Sequence, residues 1–281
     1  MSIPAQTTPM RPAFSNSLPA FTLPRGACDT HFHVFEAGYP HVLEPLYTFP
    51  DATLDQYLAV TRFLGIERMV LVQPTFYGND NSLTLDVLKK VGDRCRAVVR
   101  IEDDTSDADL DLWHELGVRA IRLDLFARAD WTPSDLMAYI EAMAARAASR
   151  GWHVQFYTPG AVLSRLQDFL PRLEVPYVVD HIGYGLGTDQ LLTLMDRGNC
   201  WIKLSGAYRL AKTQPLSAVE TLARALAEEH PDRMLWGSDW PHLPDGQRDT
   251  GELLDLLAAW VPDSADRHRV LVDSPTELFF S

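Results

Sequence analysis

The chain has 281 residues, 46% of them hydrophobic, and a formal net charge of −13 at pH 7. Its length suits two small domains or one α/β barrel, which takes about 250 residues, and either buries a sizeable core. The acidic balance argues against nucleic acid and anionic membranes as partners, so arginines that bind an anion must be a local exception to the overall field.

The predicted elements alternate along the chain. No run of about 18 apolar residues occurs, so no transmembrane helix is expected. No charged segment followed by an apolar stretch opens the chain, and the expected compartment is the cytoplasm. Residues 1–24 are rich in Pro, Ser and Thr and read as an extended or partly disordered arm, and residues 25–281 as one barrel domain. A first strand is predicted over 27–34, followed by a long loop, 35–50, that carries Tyr39 and Tyr47. Further strands are predicted over 67–73, 96–101, 118–123, 152–157, 177–181, 200–205 and 233–237. Between and after them, helical periodicity marks 53–64, 82–91, 107–116, 133–149, 161–170, 188–196, 215–229, 250–260 and 265–272, with a last short helix from 274. Eight apolar strands alternating with helices are the pattern of a (β/α)8 barrel. An open doubly wound sheet is the alternative, but it wants a Gly-rich loop after the first strand, where this chain has His31-Phe32-His33. Cys28, Cys95 and Cys200 are far apart and lack CxxC spacing, which predicts buried free thiols.

A barrel carries its active site at the C-terminal ends of its strands. The polar residues there are His31 and His33 on strand 1, Thr75 and Tyr77 after strand 2, and Arg122, Asp124 and Arg128 at and after strand 4. Tyr157 ends strand 5, His181 ends strand 6, Ser205, Tyr208 and Arg209 follow strand 7, and Asp239 and His242 follow strand 8. Residues i and i+2 of a strand share a face, so His31 and His33 project together, either as metal ligands or as a structural pair. Arg122 lies near the end of an apolar strand, and its guanidinium suits a carboxylate; the alternative for any one arginine is a surface ion pair. Asp239 can act as general base or ligand, or can cap the turn that Trp240-Pro241 begins.

Asp29-Thr30-His31-Phe32-His33, Val179-Asp180-His181-Ile182-Gly183 and Trp236-Gly237-Ser238-Asp239-Trp240-Pro241-His242 resemble the amidohydrolase superfamily in its "amidohydrolase 2" branch, from about residue 25 onward. Gln73 to Asn81, Arg122 with Arg128, and Lys203 to Arg209 are similar to the 2-pyrone-4,6-dicarboxylate lactonase group within it. The resemblance implies a distorted (β/α)8 barrel in which Asp239 activates water and His31, His33 and His181 polarise a lactone carbonyl. It further implies that Arg122, Arg128, Arg209, Thr75, Tyr47 and Tyr157 hold substrate carboxylates, and that no cofactor is required. The alternative is one zinc ion on His31, His33, His181 and Asp239. Strand 4 reads Ala120-Ile121-Arg122-Leu123-Asp124 and offers no Lys or Glu to bridge two metals. His242 stands where the lactonases have a small polar residue, and Phe76 and Tyr77 make the strand-2 loop bulkier, so a related carboxylated lactone is expected as readily as the pyrone itself.

The expected activity is hydrolysis of a small carboxylated lactone, pyrone-dicarboxylate-like or muconolactone-like, by a monomer or small homo-oligomer. The rival readings are a metal-dependent decarboxylase of an aromatic acid, a lactone isomerase, and a non-catalytic binding protein on the same barrel.

Overall fold

The computed structural model describes residues 8–42, 49–244 and 246–281. Eight strands form one parallel sheet: β1 (Cys28–Phe32), β2 (Arg68–Val72), β3 (Cys95–Val99), β4 (Val118–Asp124), β5 (His153–Tyr157), β6 (Tyr177–Val179), β7 (Cys200–Leu204) and β8 (Met234–Trp236). Their spatial order follows the sequence from β1 to β8. The strands are buried almost throughout, which is why they read as unbroken apolar runs.

The helices form where the sequence supplies caps. In α1 (Leu54–Leu64) Thr53 and Gln56 make a reciprocal capping box, and Gly65 ends the helix in the left-handed region at φ 83°. Helix α2 (Ser82–Val91) and helix α3 (Asp107–Leu116), capped by Ser106, coincide with their predicted spans. Thr132 caps α4 (Pro133–Ala148), with Pro133 in the first turn. After β5 the expected helix over 161–170 is cut to α5 (Gly160–Ser164). The chain then tightens into short-range turns, Leu166 N–H to Leu163 C=O and Phe169 N–H to Leu166 C=O, both 2.9 Å. Leu163, Leu166, Phe169 and Leu170 keep the helical spacing that suggested a longer element, but Pro171 has no N–H with which to continue it. Helices α6 (Thr188–Arg197), α7 (Leu216–Glu229) and α8 (Thr250–Trp260) follow the prediction within one or two residues. The helix predicted over 265–272 runs only over Ser264–His268 before the backbone widens into π-helical turns at Arg269–Asp273, and the short helix predicted from 274 is a π-helical turn at Thr276–Phe280.

The chain clusters into two compact units, Met1–Val118 with Gly237–Ala259, and Arg119–Trp236 with Trp260–Ser281. In the first, β1 to β3 carry α1 to α3. The described part of the arm lies against residues 246–255: Arg11 pairs with Asp249 at 3.0 Å, and Asn16 accepts the Thr250 N–H at 2.8 Å. The second unit holds β5 to β8, nearly all of β4, α4 to α7 and the C-terminal turns. All three cysteines are buried and free, and burial pushes the Cys95 and Cys200 thiols up to about 12.

Candidate active site

In the first unit the site is built on β1 and on the segment that follows β8. The β1–β2 register slips between Asp29 and Phe32, so three steps on β1 oppose two on β2. Such an irregularity re-aims side chains, and here it lies at Thr30 and His31. The segment after β8 runs alongside β1: Asp239 N–H donates to His31 C=O and His33 N–H to Trp240 C=O, both 2.8 Å. Gly237 is required by this closeness, because a Cβ there would lie 2.5 Å from His31 Cβ.

Asp29 locks the two segments together. Its Oδ1 accepts the backbone N–H of His31 (3.0 Å) and of Ser238 (2.9 Å), and its Oδ2 accepts the hydroxyls of Tyr57 (2.9 Å) and Ser238 (2.5 Å). Burial raises the Asp29 pKa, and those four donors oppose the rise. The turn so held presents Asp239 and His242 in the left-handed region, at φ 57° and 63°, a conformation that costs roughly 1 kcal/mol or more per residue and clusters at functional sites.

Asp239 and His31 are fully buried, and His33 is nearly so. His31 Nε2 lies 3.8 Å and His33 Nε2 3.6 Å from the same carboxylate oxygen, Asp239 Oδ1. His33 Nδ1 is 2.7 Å from Val72 C=O; a carbonyl only accepts, so Nδ1 carries the proton and Nε2 presents a lone pair in the neutral ring. Both separations are too long for a hydrogen bond and close to the roughly 3.4 Å between two ligands of a tetrahedral zinc ion. Imidazole nitrogens and a carboxylate oxygen are donors that a zinc ion accepts.

In the second unit His181 follows β6 by two residues, buried, at φ 51°, with Nδ1 2.9 Å from Ser205 Oγ. Gly206 at φ 61° leaves room for that ring, since a Cβ would stand 2.6 Å from His181 Nδ1. The Arg122 guanidinium lies over the Tyr157 ring, 4.6 Å from its centroid. Below it, Gln155 Nε2 donates to the Asp180 carboxylate, 3.0 and 3.2 Å from its two oxygens, and Lys203 Nζ donates to Gln155 Oε1 at 2.9 Å. Arg122 and Lys203 each stand 3.7 Å from a different oxygen of Asp180.

The predicted site residues are distributed as follows among these surroundings. His31, His33 and Asp239 converge in the first unit, and Arg122, Tyr157 and His181 lie at the strand ends of the second. Arg128 is half-buried against Trp131 and Tyr139, donating to Asp124 C=O at 2.9 Å. Arg209 is half-buried beside the Tyr208 ring, and half-buried Thr75 opens the turn Thr75–Tyr77. Tyr77 ties two loops together through the backbone of Glu36. Tyr47 lies outside the described residues. Asp29, Gln155, Asp180, Lys203 and Ser238 were not singled out from the sequence as site residues. The available signal was a lysine inside the apolar run Cys200–Leu204, a residue type almost never buried without a partner.

Known proteins resemble this chain over nearly its whole length. The amidohydrolase family model matches residues 28–280. The chain is 37% identical to a 2-pyrone-4,6-dicarboxylate hydrolase of Comamonas testosteroni, over 94% of this chain and 93% of that one. It is 36% identical to a 4-sulfomuconolactone hydrolase of Rhizobium radiobacter, over 92% of each. A D-galactarolactone isomerase of Agrobacterium fabrum is 33% identical over 94% of each. An apo crystal structure of an Agrobacterium tumefaciens protein, 32% identical, superposes with a TM-score of 0.81 over 94% of this chain and 98% of that one. The fold is the distorted (β/α)8 barrel.

Proposed function

The chain belongs to the amidohydrolase family, and from that premise we propose that it hydrolyses a small lactone bearing carboxylates, using water activated by Asp239. The observation that carries this reading is the approach of two imidazole nitrogens, His31 Nε2 and His33 Nε2, to one oxygen of the buried Asp239 carboxylate. The names of the pyrone and sulfomuconolactone hydrolases support it, since both relatives act on anionic lactones.

Asp239 takes a proton from water as the water oxygen bonds to the lactone carbonyl carbon. His31 and His33 stabilise the oxyanion that forms, and Val72 C=O orients the His33 ring through Nδ1. His181 is the third histidine of this reading, and its role is to polarise the lactone carbonyl. The ring C–O bond then breaks, the leaving oxygen takes the proton from Asp239, and the new carboxylic acid releases its own proton to solvent, so the product carries one more carboxylate than the substrate. Arg122 binds a substrate carboxylate, with Arg128, Arg209, Thr75, Tyr157 and His242 as further contacts. His31, His33 and Asp239 would also hold a zinc ion, which when bound supplies Lewis acidity toward the carbonyl.

The test is turnover of carboxylated lactones, pyrone dicarboxylate and muconolactones included, by purified protein with and without chelator. Hydrolysis that survives chelation supports a reaction carried by Asp239 and the histidines alone; hydrolysis lost on chelation and restored by zinc moves the histidines into a metal shell. Release of CO2 from aromatic acids with no lactone turnover overturns the reading.

The isomerase among the relatives favours a second reading, proton transfer within the lactone. Reaction in 18O-labelled water separates the two, because hydrolysis puts one labelled oxygen into the new carboxylate and isomerisation puts none.

A further inference from the structure

The turn that follows β6 is left-handed over five consecutive residues. His181, Ile182 and Tyr184 have φ of 51°, 52° and 46°, and Gly183 and Gly185 have 76° and 92°. Residues with a Cβ enter this region singly and at a cost, and a turn that only reversed the chain would carry glycine at 184 as it does at 183 and 185. Such conformations persist where the surroundings over-determine them, and they gather at ligand sites.

What the turn delivers is an aromatic ring. Tyr184 meets Phe126 with centroids 5.1 Å apart and Tyr157 at 5.8 Å, and Phe126 meets Tyr157 at 4.5 Å. The His181 ring stands nearly perpendicular to Tyr184 at 5.4 Å and to Tyr157 at 6.3 Å. With Arg122 over Tyr157, these side chains come from the ends of β4, β5 and β6 and the turns after them, all within the second unit. The cluster is open to solvent: Phe126 is 38% exposed, and Tyr157 and Tyr184 are half-buried. A lone exposed aromatic is ordinary, but contiguous aromatic surface beside a guanidinium and an imidazole at strand ends is how a small-molecule pocket is lined. A guanidinium reads a carboxylate and not the ring that bears it. Aromatic side chains read the ring, because a flat ring meets them over its whole face and a puckered one at only a few atoms.

We propose that Phe126 and Tyr184 are specificity-determining residues, forming with Tyr157 an aromatic wall that takes the ring of a flat, conjugated carboxylate ligand in preference to a saturated ring of the same charge. This rests on the reading that Arg122 binds a substrate carboxylate. Tyr184 contributes its ring rather than its hydroxyl, and the left-handed turn is what sets that ring against Phe126 and beside His181. Phe126, the most open of the three, is covered when the ligand binds. Aromatic residues that only complete the packing of the turns predict no discrimination between flat and puckered rings.

The experiment measures binding of isophthalate and of cis-cyclohexane-1,3-dicarboxylate by calorimetry at pH 8, where both are inert dianions and differ in the flatness of the ring. Wild type is expected to favour isophthalate by about tenfold. Phe126→Leu and Tyr184→Asn should each cut that preference to about threefold or less by weakening isophthalate, with the saturated diacid held within about twofold of wild type. Tyr184→Phe should keep the wild-type preference within about twofold. Asn tolerates the left-handed region, so Tyr184→Asn removes the ring without forcing the backbone to move; if it does not fold, Phe126→Leu, at an exposed position, decides alone. Equal affinity of wild type for the two diacids, binding of neither, equal losses for both in Phe126→Leu, or loss of the preference in Tyr184→Phe overturns the proposal. Isophthalate selection that depends on Phe126 in a protein that turns over no lactone would sink the lactonase reading and leave this one standing, and lactone turnover without that selection would do the reverse.

Discussion

Asp29 and Ser238, 209 positions apart, meet through both the backbone N–H and the hydroxyl of Ser238, each donating to a different oxygen of the Asp29 carboxylate. Neither residue reaches the reacting groups itself. Together they decide where the following residue, Asp239, stands.

Asp29→Ala therefore strips acceptors from four donors at a buried position. It should cost about 2–4 kcal/mol in urea unfolding, at the upper end for a single buried polar deletion. Ser238→Ala removes only the hydroxyl and should cost about 1–2 kcal/mol. Loss of turnover in Ser238→Ala, measured at a temperature where the variant is fully folded, would show that the network acts on geometry as well as on folding.

Asp239→Asn keeps the shape of the side chain and removes the proposed base. Steady-state kinetics on a hydrolysed lactone should show kcat lowered by about 100- to 10,000-fold with KM little changed. An Asn variant that retains most of its kcat would remove Asp239 from the proton-transfer step.

Gly206→Ala places a methyl group 2.6 Å from His181 Nδ1, on a residue whose φ is 61°. The strain should be on the order of 1–2 kcal/mol. The displaced imidazole should lose its contact with Ser205, and kcat should fall by about tenfold or more, beyond what the change in Tm explains. Wild-type kcat with a lowered Tm would mean that the ring position of His181 is not used in the reaction.

His153 gives a pH dependence of known sign. Burial, with Lys203 adding to it, lowers its pKa from 6.5 to about 3. The folded state binds the proton less readily than the unfolded chain, so this contribution to stability is complete above pH 6.5 and is lost as pH falls toward about 3. His153→Phe keeps a ring against Phe279, which now stands 4.8 Å away, and should flatten the decline of Tm between pH 6.5 and 4. Parallel Tm curves for the two proteins would assign the acid sensitivity elsewhere.

How much of this was legible beforehand depends on the kind of signal. Helices α2 and α3 coincide with their predicted spans because periodic apolar residues and clear end signals agreed there. His31, His33 and Asp239 were legible because polar residues at the ends of apolar strands stand out, and the barrel rule says where those ends gather. Asp29, Asp180 and Lys203 were less so. Each lies inside or directly after an apolar strand, and its importance comes from partners such as Ser238 or Gln155 that only tertiary contacts reveal. The helix expected over 161–170 misled for a related reason: the spacing of its leucines is helical, but it is met by tight turns packed beneath the chain.

The discontinuity of the first unit bears on how the protein is made. A ribosome releases Asp29 and His31 long before Gly237 to Ala259 exist, so the first unit waits for the rest of the barrel to be translated. Closing so wide a sequence separation is entropically slow, and the Asp29 carboxylate meanwhile lacks its Ser238 donors. The Asp239 carboxylate meets His31 and His33 only at the end of that process.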